Sequence, residues 1–434
     1  MDLLTSGLVL AGLLTAFLAS GVWIFVTLLA LALVAQFALL GFPVDRVGFF
    51  LKSIIWRTAN SWELSAVPLF LLMGELLSRT DITQRLFRGL TPLSRRIPGR
   101  LLHVNVFGSA IFAAVSGSST ATTAAVGRVT LDALKERGYS QTLSLGSLAG
   151  AGSLGLLIPP SIMMIVYGIL AEVSIAKLFL AGVLPGLLVA ALYSGYLALR
   201  ATRDPALAPE QASDGAYSVL AALLDLLPVC SLIALVLGGI YLGIMTPTEA
   251  AAIGSAGAVL LMLVTGQFSL AVTFEAAIAA IKTSAMICMI VIAAASLSST
   301  LGFLHLPRDI ALFIQSLGLP PMVLILCLGM LFIVLGLFLD GISIAVMTLP
   351  ITLPLVVQAG FDPLWFGIFL ILMIELGLIT PPVGLNLFVL QGLTGQPTGR
   401  VAHAAFPFFL LLLAAAVIVT LFPGVVVWLP SAIG

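Results

Sequence analysis

Two stretches decide how this chain is read: SLGLLIPPSIMMIVYG at 153–168 and ELGLITPPVGLNLFVLQG at 375–392. Each carries L-G-L followed, two residues later, by a Pro-Pro pair. Such a pair removes two backbone donors and drives the residue before it out of the helical region. Both stretches are otherwise apolar and helix-length, so each reads as a membrane helix broken near its middle. The break frees carbonyls on its N-terminal side and exposes amides on its C-terminal side. Freed carbonyls with nearby hydroxyls suit a sodium ion, and a helix N-terminus suits a carboxylate.

Ahead of each break lies a second interruption. SGSSTATTAAVG (116–127) divides the apolar stretch 101–137, and LDGISIAVMTLP (339–350) divides the stretch 320–358. Each half is too short to span a bilayer, which takes about 20 apolar residues. Each stretch therefore reads as a re-entrant helical hairpin. Irregular backbone at that depth is tolerated where protein buries it or it lines a wet cavity. From Gly117 to Pro159 is 42 positions, and from Gly341 to Pro381 is 40. The chain thus divides into two repeats, 1–215 and 216–434, with five crossings each. Because five is odd, the second repeat inserts upside down. Inverted repeats with broken helices near the midplane are the signature of a secondary transporter.

Composition agrees. Of 434 residues 61% are hydrophobic and 8% charged, against about 25% charged in soluble domains. The expected fold is an all-α polytopic membrane protein. Its expected crossings lie near 3–19, 20–41, 62–79, 140–171, 174–200, 219–243, 246–265, 281–303, 363–392 and 402–430. Segments 45–59 and 82–96 are amphipathic and suit the two interfaces. With the N-terminus outside, 13 of the 18 Lys and Arg fall on one side, which the positive-inside rule makes cytoplasmic. Both termini then lie outside, and 200–215 is a short cytoplasmic loop.

Equal numbers of acidic and basic residues, 18 each, point to no nucleic-acid partner. Cys230, Cys288 and Cys327 stand singly and read as small buried thiols, and scattered His103, His305 and His403 make no metal site. Gly-Lys, H-E-x-x-H and G-x-S-x-G are all missing from the sequence, so no enzyme is expected. TPTEA at 246–250 reads as a capping box through Glu249, and Glu75 as the partner of Arg79. The small-residue run from Ser144 to Gly155 reads as helix packing. Asp340, at a hairpin tip deep in the membrane, reads as functional. Glu375 is open between a functional role and a buried hydrogen bond.

PLFLLMGELLSR (68–79), SGSSTATTAAVG (116–127), GLLIPPSIMMIVYG (155–168), AEVSIAKLFLAGVLPG (171–186), GIMTPTEAAA (243–252) and ITPPVGLNLFV (379–389) resemble the large membrane subunit of tripartite ATP-independent periplasmic transporters. The resemblance runs nearly end to end and keeps the family's order. It implies the elevator fold of an ion-transporter superfamily, with a mobile body moving past a scaffold in a bacterial inner membrane. It also implies sodium as coupling ion, no other cofactor, a separate small four-helix membrane subunit, and a periplasmic binding protein delivering an organic acid such as a dicarboxylate. Carried onto this sequence, the sodium candidates are Ser116, Gly117, Ser118, Ser119, Gly155, Pro159, Asp340, Gly341, Ser343, Thr380 and Pro381. The substrate candidates are Ser119, Thr120, Pro160, Ser161, Pro382, Gly384 and Asn386, between the tips. A stand-alone sodium/carboxylate symporter of the same superfamily and a passive channel are the rival readings.

Overall fold

The computed structural model describes residues 3–209, 218–316, 318 and 320–433. The expected cytoplasmic loop at 200–215 falls partly outside the described residues. Those described form helices and no strand. The first half contains α1 Leu3–Ala19, α2 Ile24–Val34 with a π-helical turn at Ala35–Leu39, α3 Val44–Ala59, α4 Ala66–Ser78 and α5 Ile82–Ser94. It continues through α6 Leu102–Ser116, α7 Ser119–Glu136, α8 Gln141–Gly152, α9 Leu154–Leu157, α10 Ile162–Ala171 and α11 Ile175–Arg203. The second half contains α12 Val219–Tyr241, α13 Pro247–Val264, α14 Leu270–Phe303, α15 Leu306–Ser316, α16 Pro321–Gly336 and α17 Gly341–Gln358. It ends with α18 Pro363–Leu378, α19 Leu385–Thr394, α20 Thr398–Leu421 and α21 Gly424–Ile433.

The interruptions lie where the residues put them. Gly117, in the left-handed region at φ 59°, ends α6, and Ser118 caps α7 by accepting the Ala121 N–H. Asp340 caps α17 by accepting the Ser343 N–H. The Pro-Pro pairs separate α9 from α10 and α18 from α19, and both pairs hold a cis peptide. One order of elements therefore occurs twice: a paired hairpin, then a broken helix.

Seven helical segments among the described residues are long and apolar enough to cross a membrane alone: six of the ten crossings expected, and α17, a hairpin half that was expected to be too short. The difference lies in short and broken pieces. α4 has 13 residues and α18 has 16, and at 1.5 Å per residue neither covers a core about 30 Å thick. The expected crossing at 402–430 is two helices, because Pro423 holds Phe422 out of the helical region and ends α20 there. An amphipathic helix not foreseen, α15, leads into the second hairpin, with Arg308 and Asp309 in its first turn.

Burial separates two kinds of helix. Every residue of α18 from Trp365 to Leu378 is buried, as is every residue of α8 from Leu143 to Gly152. α12, α14 and α16 instead expose Leu223, Leu227, Met286, Met289, Leu326 and Met330, an apolar outer surface that suits lipid. Cys230 and Cys327 lie on that surface and Cys288 is half-buried. The buried-thiol reading is thus corrected: a thiol behaves as a small hydrophobe, and an apolar exterior accepts it without cost.

Small residues set the close contacts, as expected of the Ser144–Gly155 run. A Cβ on Gly146 would collide with the Ala404 carbonyl, and one on Gly150 would stand 2.7 Å from Phe408 Cβ. α8 and α20 therefore meet nearly backbone to backbone. The same holds for α16 and α18, where a Cβ on Gly377 would lie 2.6 Å from Gly336 Cα. α4 packs against α13 and α14, and Arg79 joins α4 to α14 through Glu75 at 3.2 Å and Glu275 at 3.1 Å. Thr246 and Glu249 form the expected capping box.

Candidate functional site

The first tip rests directly on the first break. A Cβ on Gly117 would lie 3.1 Å from the Pro160 carbonyl oxygen, and one on Gly155 would lie 2.5 Å from Ser119 Cα. Only glycine permits both approaches. Ser116 and Thr122 share a hydrogen bond at 2.8 Å. Ser118 and Thr120 are half-buried, their hydroxyls 3.3 Å apart. Pro159, Pro160 and Ser161 are buried. The structure thus brings Ser116, Gly117, Ser118, Ser119 and Thr120 together with Gly155, Pro159, Pro160 and Ser161.

The second tip is arranged differently. Gly341 is buried against Ile374 and Leu156, so it meets α18 ahead of the second break and also a helix of the first half. Ser343 donates its hydroxyl to Asp340, whose carboxylate also accepts the Ser343 backbone N–H at 3.2 Å. Asp340 itself is exposed, as are Pro381 and Pro382. The Thr380 hydroxyl donates back to the Leu376 carbonyl at 2.5 Å. Gly384 takes φ 51°, and α19 begins there.

Asn386, which its place in the repeat puts beside the second tip, is bonded to the first. Its Nδ2 donates to Ser119 Oγ of the first tip at 2.8 Å. Ser119 Oγ stands 3.0 Å from Glu375 Oε2 and 2.9 Å from the Gly152 carbonyl oxygen. Glu375 Oε1 accepts the Leu156 N–H at 3.3 Å. The buried hydrogen bond considered for Glu375 is therefore present, and it ties the two halves together. Tyr193 of α11, fully buried, reaches Ser153 at 3.1 Å. No pattern in the sequence marked it, since it is a lone tyrosine in an apolar helix. Thr123, which donates to the Ser119 carbonyl at 2.9 Å, was legible as the i+4 neighbour of Ser119.

Two fully buried oxygens at the breaks have no hydrogen-bond partner among the described residues, Ser161 Oγ and Asn386 Oδ1. Each is a hard oxygen beside a break, the kind of donor that alkali and alkaline-earth cations take. Described His, Cys, Asp and Glu residues form no cluster able to hold a metal ion. His103 is committed to Ser194 at 2.7 Å and the Pro98 carbonyl at 2.6 Å.

A cavity of about 810 Å³ lies elsewhere, between α3, the α10–α11 connection, the start of α13, α14 and α17. Arg57, Ser61, Glu63, Thr246, Ser298 and Pro350 are among its lining residues, and neither tip nor break contributes to it. Its size is that of a small-molecule site.

Comparison with known proteins assigns the fold and the family. The model of the family described as "Tripartite ATP-independent periplasmic transporter, DctM component" matches residues 11–425. The chain is 36% identical over 383 residues to the C4-dicarboxylate TRAP transporter large permease protein of Pseudomonas aeruginosa, covering 88% of this chain and 89% of that one. It is 31% identical over 371 residues to the ectoine/5-hydroxyectoine TRAP transporter large permease protein of Ruegeria pomeroyi, covering 85% and 86%. Among solved structures it resembles the YdaH transporter of Alcanivorax borkumensis, with a TM-score of 0.65 at 17% identity, over 88% of this chain and 90% of that one; at that identity the likeness speaks for the fold. With the family model spanning nearly the whole chain and all-helical architecture beneath it, this multi-pass membrane protein belongs to the DctM-component family of tripartite ATP-independent periplasmic transporters.

Proposed function

We propose that the chain is the large permease subunit of a sodium-coupled carrier that takes up an organic acid by an elevator motion. In this reading it sits in a bacterial inner membrane with both termini periplasmic. A small four-helix membrane subunit accompanies it, and a periplasmic binding protein delivers the substrate. The observation that carries the proposal is the packing of both tips on the broken helices, with Gly117 and Gly155 at the first pair and Gly341 against Leu156 and Ile374 at the second. Such a unit offers oxygen donors for cations and can move as a body without breaking its own contacts. The repeats 1–215 and 216–434 would each supply one hairpin and one broken helix, inverted with respect to one another.

Sodium would bind near the two tip-and-break pairs, through freed carbonyls and the hydroxyls of Ser118 and Thr380. Substrate would lie between the tips, near Thr120 and Pro382, with the carboxylate of Asp340 kept for a cation. The relatives differ in what their names say they carry, a C4-dicarboxylate in one and ectoine in another. An organic acid is therefore proposed as a class, with a C4-dicarboxylate the first to try.

The test is uptake into proteoliposomes holding the permease and its small subunit, with binding protein supplied outside and a C4-dicarboxylate as the first substrate. Uptake should saturate and require sodium. Ser118→Ala and Thr380→Ala should each raise the sodium concentration for half-maximal uptake by about tenfold, the equivalent of ~1.4 kcal/mol, with protein abundance unchanged. Equal uptake with potassium or choline in place of sodium would refute the coupling. Non-saturating flux would favour a channel, and full activity without binding protein a stand-alone symporter.

A further inference from the structure

Glu375 is fully buried in the last turn of α18, a helix whose residues from Trp365 to Leu378 are all buried. An acid at that depth is costly, and a leucine would fill the same space. What the acid supplies is connection. Oε2 faces Ser119 Oγ of the first tip at 3.0 Å, and Oε1 accepts the N–H of Leu156, three residues before Pro159, at 3.3 Å. Ser119 in turn accepts from Asn386, two residues into α19 beyond the second break, at 2.8 Å. Gly341 of the second tip packs on Leu156 and on Ile374, the neighbour of Glu375. One carboxylate thus bonds directly to the first tip and to the backbone ahead of the first break, and through Ser119 to the helix after the second break, while its neighbour Ile374 packs on the second tip. No described ion pair includes it. Tyr193 is bonded to Ser153, the residue after Gly152, and Asp340 faces solvent in its cap.

We propose that Glu375 is a positioning residue that makes the two tip-and-break pairs respond as one. An ion held at the first pair fixes Ser119. Glu375 and Asn386 then set the backbone on either side of the second break, so the second pair takes its ion more readily. A network whose polar members are buried and mutually bonded transmits such shifts because its alternatives are expensive. The proposal rests on the sodium-binding reading above.

Substitutions separate geometry from charge. Gln keeps the length, accepts from Leu156 N–H through its carbonyl and donates to Ser119, which can then donate to Gly152. Asp is one methylene shorter and cannot hold Ser119 and Leu156 together. Ala holds neither. The experiment is a sodium titration of uptake in proteoliposomes for wild type, Glu375→Gln, Glu375→Asp and Glu375→Ala, with melting midpoints recorded for each. Wild type should show a Hill coefficient above about 1, and Gln should stay within about threefold of its half-saturation. Asp and Ala should fall to a Hill coefficient of about 1, with half-saturation raised about tenfold, a coupling of ordinary size for linked sites. If the Asp and Ala proteins do not fold, Asn386→Ala tests the far end of the same chain and should also lose cooperativity.

A folded Asp variant with wild-type cooperativity, or Asn386→Ala with it, overturns the proposal. So does a Gln variant that fails as Ala does, since that would assign the role to charge. A wild type without sodium dependence would instead refute the sodium reading itself, whatever the variants do.

Discussion

Replacing Gly155 by alanine should reduce sodium-driven uptake by more than about tenfold while the protein still reaches the membrane. The added Cβ would stand 2.5 Å from Ser119 Cα and 2.6 Å from the Ser118 carbonyl carbon and oxygen. These are backbone atoms, so no side-chain rotation relieves the contact, and the tip must lift off the break by about an ångström. Overpacking of this kind costs about 1–3 kcal/mol, small beside the stability of a large membrane protein. It is large for an ion site, because each decade of affinity corresponds to ~1.4 kcal/mol. Gly195→Ala, in open space on α11, is the control and should transport normally. Uptake and sodium half-saturation are measured in proteoliposomes at matched protein density. A Gly155→Ala protein with wild-type values for both would mean that tip and break do not act together as a site.

Much of this arrangement was legible in the residues. The expected hairpins, 101–137 and 320–358, match α6–α7 and α16–α17 to within a residue or two. Glycine and proline act through local backbone geometry, so their positions show in one sequence. The expected boundary at 402–430 failed because apolar residues run on past Pro423, and hydropathy cannot separate a helix from two helices in line. α15 was missed for the opposite reason: Pro307, Arg308 and Asp309 interrupt the apolar run where an interfacial helix begins.

The connection of the two halves was not legible at all. Ser119 and Glu375 are 256 positions apart, and Ser119 and Asn386 are 267 apart. Matching the repeats paired Asn386 with the second tip, whereas folding brings it to the first. No local pattern encodes which of two equivalent hairpins a side chain will reach. That is settled by how the halves interlock, through Gly146, Gly150 and Gly152 of the first half, which let Ala404, Phe408 and Asn386 of the second come close.

The central claim is that hairpins and broken helices move together past a scaffold that includes α4, α13 and α14. At that seam a Cβ on Gly74 of α4 would lie 3.3 Å from Ser116 Cα of the first tip. Within the proposed moving body, Asn105 of α6 and Ser147 of α8 bond at 2.9 Å. The direct measurement is sodium-driven uptake by two double-cysteine proteins, Gly74→Cys with Ser116→Cys and Asn105→Cys with Ser147→Cys, before and after reduction. Disulfide formation is confirmed by mass spectrometry in each. The account predicts that the seam crosslink abolishes uptake, that reduction restores it to the level of the unoxidised protein, and that the internal crosslink leaves most of it. Uptake surviving the confirmed seam crosslink as well as it survives the internal one would contradict a rigid-body elevator and leave gating confined to the tips.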